Sequence, residues 1–285
     1  MKQQVRDAGI FDILEKRMTH RNFRDAPIED DVFEILMDVA ASAASSGGLQ
    51  RISIVAVRDP ERRKKLVEMS RGQTFVEKAP LSLVFCVDHR RVRRVAEYEG
   101  SLDEPALAIE LLWMGIIDAA IAAQSVALAA EAFGLGSCYN GNILEQPEEM
   151  SALLELPAGV VPALMLTLGY PSSSEYKPSK KFDRSMLLHD EVYRDRPVEE
   201  LYSAYKEKHP QTARLTPARR ESLYRALSQQ YGEEIANARI EKVDEAGVLT
   251  PYQFLFGCYY FDDDQTYTQA QYLDFLAKNG FDFRK

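Results

Sequence analysis

The stretch Leu111–Leu135 constrains this 285-residue chain more than any other. It is the most apolar run, dense in alanine, yet Asp118, Gln124 and Glu131 lie inside it. A membrane-spanning helix needs about 20 apolar residues and strongly disfavours ionisable groups at its centre. The run therefore predicts a buried helix over Pro105–Phe133. Gly134-Leu135-Gly136 ends it, supplying the glycine that helix C-termini use. The N-terminus is charged throughout and lacks the apolar segment of a signal peptide. The expected address is the cytoplasm, with no membrane partner.

Around that helix the patterns alternate. Apolar residues at helical spacing predict helices over 9–23 and 28–43. Ile52–Val57 alternates and is β-branched, which predicts a strand closed by Asp59-Pro60. A charged helix is expected over 60–70 and a continuous apolar strand over Leu81–Val87, suited to burial on both faces. Short elements follow: a strand near Ser137–Tyr139, a helix near Pro147–Leu154 and a strand over Val161–Leu168. Strands separated by helices predict a layered α/β or α+β core. Composition shifts after Pro171. Residues 172–182 are polar and basic, and beyond 185 the apolar clusters Tyr252–Phe261 and Tyr272–Phe283 are short and separated by the acidic run Asp262–Asp264. The expected division is a core over 1–184 and a C-terminal extension over 185–285 that packs on the core or on a partner subunit.

Charge and reactive side chains limit the function. With 35 basic and 44 acidic residues the net charge is −9, which argues against nucleic acid as a partner. Three cysteines and four histidines are scattered along the chain, so neither a disulfide framework nor a metal site is expected. An enzyme so poor in thiol and imidazole borrows its chemistry from a cofactor.

Three segments carry candidate sites. In Arg17-Met18-Thr19-His20-Arg21 two guanidinium forks and a hydroxyl have the spacing to converge on one phosphate, although basic residues also suit a helix C-terminus. In Ala44-Ser45-Ser46-Gly47-Gly48-Leu49-Gln50 the glycines let backbone approach a planar ligand, and serine hydroxyls and an amide are available to ring heteroatoms. An ordinary helix-to-strand loop explains the same residues. Gly134–Ile143 holds glycines that end a helix rather than begin one, so it is a poor dinucleotide fingerprint and a better loop for presenting amides. Cys138 lies in it, with no histidine nearby in sequence to activate a thiol. Asp118 is either a core hydrogen-bonder or a residue beside a ligand. The basic run His89–Arg94 reads as a solvated helix face or as an attractor of a phosphorylated cosubstrate.

Taken in order, these pieces resemble the FMN-dependent nitroreductase superfamily, most closely the bacterial oxygen-insensitive nitroreductase A and NADPH–flavin oxidoreductase branch. The stretches that carry the resemblance are Arg17–Phe23, Ala41–Gln50, Arg71-Gly72-Gln73, Gly115–Asp118, Ala129–Ile143 and Lys177-Pro178. The resemblance implies a three-layer α-β-α, α+β fold with a central mixed, mainly antiparallel sheet, in an intertwined homodimer. It implies bound FMN with NADPH or NADH as cosubstrate, chemistry carried by the flavin rather than by a catalytic side chain, and a small-molecule electron acceptor such as a nitroaromatic, quinone or flavin. Arg17, Thr19 and Arg21, with Met18 among them, would hold the phosphate, and Lys177 would assist. Ser45, Ser46 and Gly48, with Gln50 and Asp118 in support, would approach the ring from the other subunit. Gln73 would bond the ring's polar edge, and Tyr139, Asn140, Gly141 and Asn142 would line the opposite side. Two departures stand out: Ser179 replaces an arginine that contacts the phosphate, and Asn140 and Asn142 put polar groups where the branch has isoleucine and glycine. They leave two alternatives open, a flavin-binding or flavin-sensing protein with little turnover and a narrow-substrate metabolic flavoenzyme.

Overall fold

The computed structural model describes residues 9–101, 108–173, 175, 177–261 and 267–283. The first residues of the expected long helix and the acidic run 262–264 lie outside these. The chain divides into two compact units, Met1–Pro178 with Thr266–Lys285, and Ser179–Gln265.

The larger unit is built on a four-stranded sheet in the order β1-β2-β4-β3. The strands are β1 (Ile52–Val57), β2 (Leu81–Asp88), β3 (Gly136–Asn140) and β4 (Val160–Gly169). Every ladder is antiparallel, with a register shift between Phe85 and Cys86 where β2 meets β4. The sheet is mainly antiparallel, as expected, and its parallel pairing among the described residues is the isolated bridge from Thr19 to Ser137 at the β3 edge. β2 is buried along its whole length, as its unbroken apolar run requires. Its odd-numbered residues, Leu81, Leu83, Phe85 and Val87, join one apolar cluster, and Val84 and Cys86 join another. Truncating a side chain such as Phe85 would cost about 3–5 kcal/mol.

Helices α1 (Ile10–Lys16), α2 (Asp30–Ala41), α3 (Pro60–Met69), α4 (Phe75–Lys78), α5 (His89–Tyr98) and α6 (Ala108–Ala132) precede β3. α6 is long and apolar enough to cross a membrane by composition, but it is a core helix. Ala119, Ala122, Ala123, Val126, Ala127 and Ala130 pack in the first cluster with β2 and β4. Small side chains let the helix lie close to the sheet. At Gly115 a Cβ would stand 2.4 Å from Val87 Cγ1. The other face is apolar too, and exposed: Ile109, Trp113, Ile116, Ile117 and Ile121.

The helix expected over 9–23 stops at Lys16. Arg17 is extended (φ −54°, ψ 128°), and the chain is then drawn along the sheet by the Thr19–Ser137 and Phe23–Pro171 bridges. Long-range pairing overrides local helical pattern there. Of the two late apolar clusters, Phe275, Leu276 and Phe281 join the core of the larger unit. Phe254 and Cys258 pack instead in a small cluster built on Leu223, Ile240, Val243 and Leu249, all inside the smaller unit.

Candidate functional site

Two groups of the expected residues assemble, one at the C-terminal end of α6 and one beside its middle. At the C-terminal end, the His20 amide donates to the Ser137 carbonyl at 2.9 Å, pinning Arg17–Arg21 beside β3. Gly136 makes this approach possible, because a Cβ there would lie 2.6 Å from the His20 ring. Arg17 Nη2 donates to Ser137 Oγ at 3.4 Å, and its guanidinium carbon lies 5.4 Å from the centre of the Tyr139 ring. Tyr139 is oriented from its far end, its hydroxyl donating to Gln124 Oε1 at 3.1 Å. The Lys177 amide donates to Met18 Sδ at 3.2 Å, which brings that segment alongside, while Lys177 Nζ pairs with Glu175 at the surface. Ser179 belongs to the smaller unit.

The same end holds polar groups that the protein leaves unmatched. Among the described residues Arg17 Nε, Glu131 Oε1 and Asn140 Nδ2 are buried without a hydrogen-bond partner. A buried donor left unmade costs about 1–3 kcal/mol. Burial pushes the Glu131 carboxyl up from its ordinary range, opposed by the Arg17 charge. Burial and Arg17 together hold His20 below the usual imidazole range, keeping it neutral and unsuited to donate a proton near pH 7. Burial likewise raises the Cys138 thiol, only partly offset by Arg21 and Arg17, so no ready thiolate nucleophile stands here. Cys86, deeper in the sheet, is pushed up to about 12.

Beside β3 an amide network extends toward the expected polar edge of the ring. Gln73 Nε2 donates to Asn142 Oδ1 at 2.9 Å, and Asn142 Nδ2 donates to Glu145 Oε1 at 2.8 Å. Arg71 Nε closes the chain on Glu145 Oε2 at 2.5 Å. The Asn142 amide donates to Asn140 Oδ1 at 3.0 Å, which fixes the Asn140-Gly141-Asn142 turn. Glu145 and Ser137 are the members that sequence reading missed. The one local signal for Glu145 was its place three residues after Asn142.

The serine-glycine loop lies beside the middle of α6, at Asp118. Residues 46–48 form a single tight turn, with Gly47 and Gly48 at φ +59° and +67°, a region that branched side chains avoid. Asp118, only 2% exposed, accepts the Ser46 amide at 2.9 Å, and its second oxygen is buried without a partner. Gln50 is spent on the loop itself: Nε2 donates to the Ala41 carbonyl at 2.6 Å, and its amide to Ser45 Oγ at 3.3 Å. Asp118 to Glu131 is 13 residues of continuous helix, about 20 Å at 1.5 Å per residue. The basic run His89–Arg94 is largely structural. Asp88 caps α5 through the Arg91 amide, and Arg90 and Arg91 reach backbone carbonyls of Ala158, Gln50 and Ile52.

Comparison with known proteins decides the family. The nitroreductase family model matches residues 14–170, which include both ends of the site. The chain belongs to the nitroreductase family. Among related nitroreductase-family proteins, the Cr(VI) reductase of Pseudomonas sp. strain G-1 is 34% identical over 199 residues, covering 70% of this chain and 81% of the relative. The FMN reductase (NADPH) of Bacillus subtilis is 33% identical over 185 residues, 63% of this chain and 74% of the relative. The solved structure of B. megaterium NfrA2 superposes with a TM-score of 0.72 at 27% identity, over 97% of this chain and 99% of that one. The nitroreductase-like fold with an antiparallel sheet is thereby established for this chain.

Proposed function

We propose that this nitroreductase-family chain is an NAD(P)H-dependent FMN oxidoreductase that passes two electrons to a nitroaromatic, quinone or flavin acceptor. It works as a soluble, cytoplasmic homodimer. The observation that carries the reading is the split of the site between the middle of α6, where Asp118 holds the Ser45–Gly48 turn, and its C-terminal end, where Arg17–Arg21 lies. Neither group by itself holds both a phosphate-binding set and a loop for the ring. A second copy would supply the Ser45–Gly48 turn to the Arg17–Arg21 segment of the first, within the three-layer arrangement the family resemblance implies. The exposed row Ile109, Trp113, Ile116, Ile117 and Ile121 supports this, since a contiguous apolar patch on a soluble chain calls for a cover.

The residues fit the cofactor by their unmatched groups. Arg17, with a buried unpaired Nε, and Arg21 supply a bidentate cationic clamp for a phosphate, with the Thr19 hydroxyl beside them. Lys177 adds charge once it leaves its exposed partner Glu175. FMN, when bound, would supply two-electron redox chemistry between the nicotinamide and the acceptor. Gln73 and Asn142 orient the ring through its polar edge. Tyr139, held by Gln124, walls one side and excludes water, and the Ser45–Gly48 turn closes the other. Donor and acceptor use the same opening in turn, so turnover is expected to be ping-pong. His20 stays neutral and takes no part in proton transfer.

Anaerobic titration with NADH and NADPH tests this directly. FMN should bind at one per chain, bleach with at least one nicotinamide, and recover its colour on adding a nitroaromatic, quinone or free flavin. Bound FMN that neither nicotinamide bleaches would replace this reading with the flavin-binding one.

A further inference from the structure

The amide network beside β3 has a direction, and one charged pair sets it. Glu145 is a carboxylate paired with Arg71, so it offers only acceptors. The Asn142 side chain must therefore turn Nδ2 toward Glu145, as observed at 2.8 Å. Its Oδ1 then faces Gln73, which answers with Nε2 at 2.9 Å. Rotating either amide would bring oxygen against oxygen or N–H against N–H, losing a hydrogen bond at a half-buried site. Arg71 has a left-handed conformation at φ 53°, where the chain leaves α3 and the Gly72 amide donates back to the Val67 carbonyl at 2.9 Å, which fixes the backbone from which its side chain reaches Glu145. The consequence lies at the far end of the chain. Among the described residues the Gln73 carbonyl oxygen has no protein donor, and one hydrogen of Nε2 is left over.

We propose that Arg71 and Glu145 are positioning residues: acting through Asn142, they fix the Gln73 amide so that its oxygen accepts from the imide N–H of the flavin ring and its spare N–H meets the adjacent ring carbonyl. This rests on the FMN reading above and adds the orientation of the contact and the residues that dictate it. The imide edge presents a donor beside an acceptor, and only the observed orientation of Gln73 is complementary to both. Glu145→Gln reverses the chain. Arg71 claims the new amide's oxygen, its NH2 turns to Asn142, and both downstream amides rotate, so Gln73 meets a ring donor with a donor.

The test is a binding cycle with two ligands, FMN and FMN methylated at the imide nitrogen, against the wild type, Glu145→Gln and Asn142→Leu. Binding is read by quenching of flavin fluorescence. Glu145→Gln and Asn142→Leu should each weaken FMN about tenfold, the worth of one hydrogen bond, and weaken the methylated analogue less than twofold. Thermal melting of the unliganded variants within a few degrees of the wild type would show that the fold is intact. Equal weakening of both ligands, or no weakening of FMN, overturns the relay. Failure of the wild type to bind FMN at all overturns the flavin reading instead.

Discussion

The middle of α6 and its C-terminal end differ in how complete they are. Beside Asp118 the loop is closed upon itself: Asp118 accepts the Ser46 amide, Gln50 donates to the Ala41 carbonyl, and the glycines set the turn, with one Asp118 oxygen left unmatched. At the Glu131 end the backbone is equally fixed, through the Thr19–Ser137 bridge, but more side chains are unsatisfied. Among the described residues Arg17 Nε, Asn140 Nδ2 and Glu131 Oε1 are buried and unmatched. The first region is mainly a shape and the second mainly a set of unmet charges and dipoles. A shape is what a ring face requires, and unmet cationic donors are what a phosphate requires. The difference is one of physical role, and substitutions in the two regions should break function in different ways.

The largest effect should come from the exposed row of α6. Trp113→Glu with Ile117→Glu places two charges on the exposed row of α6 and should abolish both the dimer and FMN retention, as read by light scattering and absorbance. A dimer that persists and keeps its flavin would break the proposed arrangement. Next is Arg17→Ala, which removes a charge-assisted pair to phosphate; FMN affinity should fall about 30–100-fold, measured by fluorescence quenching, with riboflavin binding nearly unchanged. Asp118→Ala acts through structure instead. It frees the Ser46 amide and should lower stability by about 1–3 kcal/mol, with Tm falling roughly 2–4 °C for each kcal/mol. Asp118→Asn, which keeps an acceptor, should recover most of that loss.

How much of this the sequence carried depends on the range of the interaction. The strands over 52–57, 81–88 and 160–169 were legible because apolar and β-branched runs are local signals. The long helix was legible from its own composition. The early end of the first helix was not, because what stops it at Lys16 is pairing with Ser137 and Pro171, more than 100 residues away. Arg17, Thr19, Tyr139 and Asn142 were anticipated as parts of one site, and β3 gathers them. Glu145 was invisible for the same reason as the helix end: its importance arises only when Arg71, 74 residues earlier, is folded against it. Asp118 was read as either a core hydrogen-bonder or a residue beside a ligand, and its observed bond is to the loop.

The smallest predicted effect is a pH dependence in which two groups beside Arg17 act in opposite senses. His20 has a lowered pKa in the fold, so the unfolded chain binds the proton more tightly. Its contribution to stability is intact above the unfolded value near 6.5 and is lost as pH falls below it. Melting between pH 7 and 5 should therefore fall less steeply in His20→Gln than in the wild type. Glu131 works in the opposite sense: its raised pKa means stability is lost as pH climbs above the unfolded value near 4.5. Glu131→Gln should raise Tm at pH 7 and have little effect near pH 4, and by sparing Arg17 a negative neighbour it should tighten FMN slightly.

The central claim is that each flavin site needs Arg17–Arg21 from one chain and the Ser45–Gly48 turn from the other. Complementation in trans measures it: Arg17→Ala/Arg21→Ala protomers are refolded together with Gly47→Val/Gly48→Val protomers, and bound FMN is counted. Each variant alone should bind almost none. Random pairing makes half the dimers mixed, each with one intact site, so the mixture should recover about a quarter of the wild-type flavin. A mixture that binds no more FMN than its two parents would place the whole site within a single chain and contradict the account.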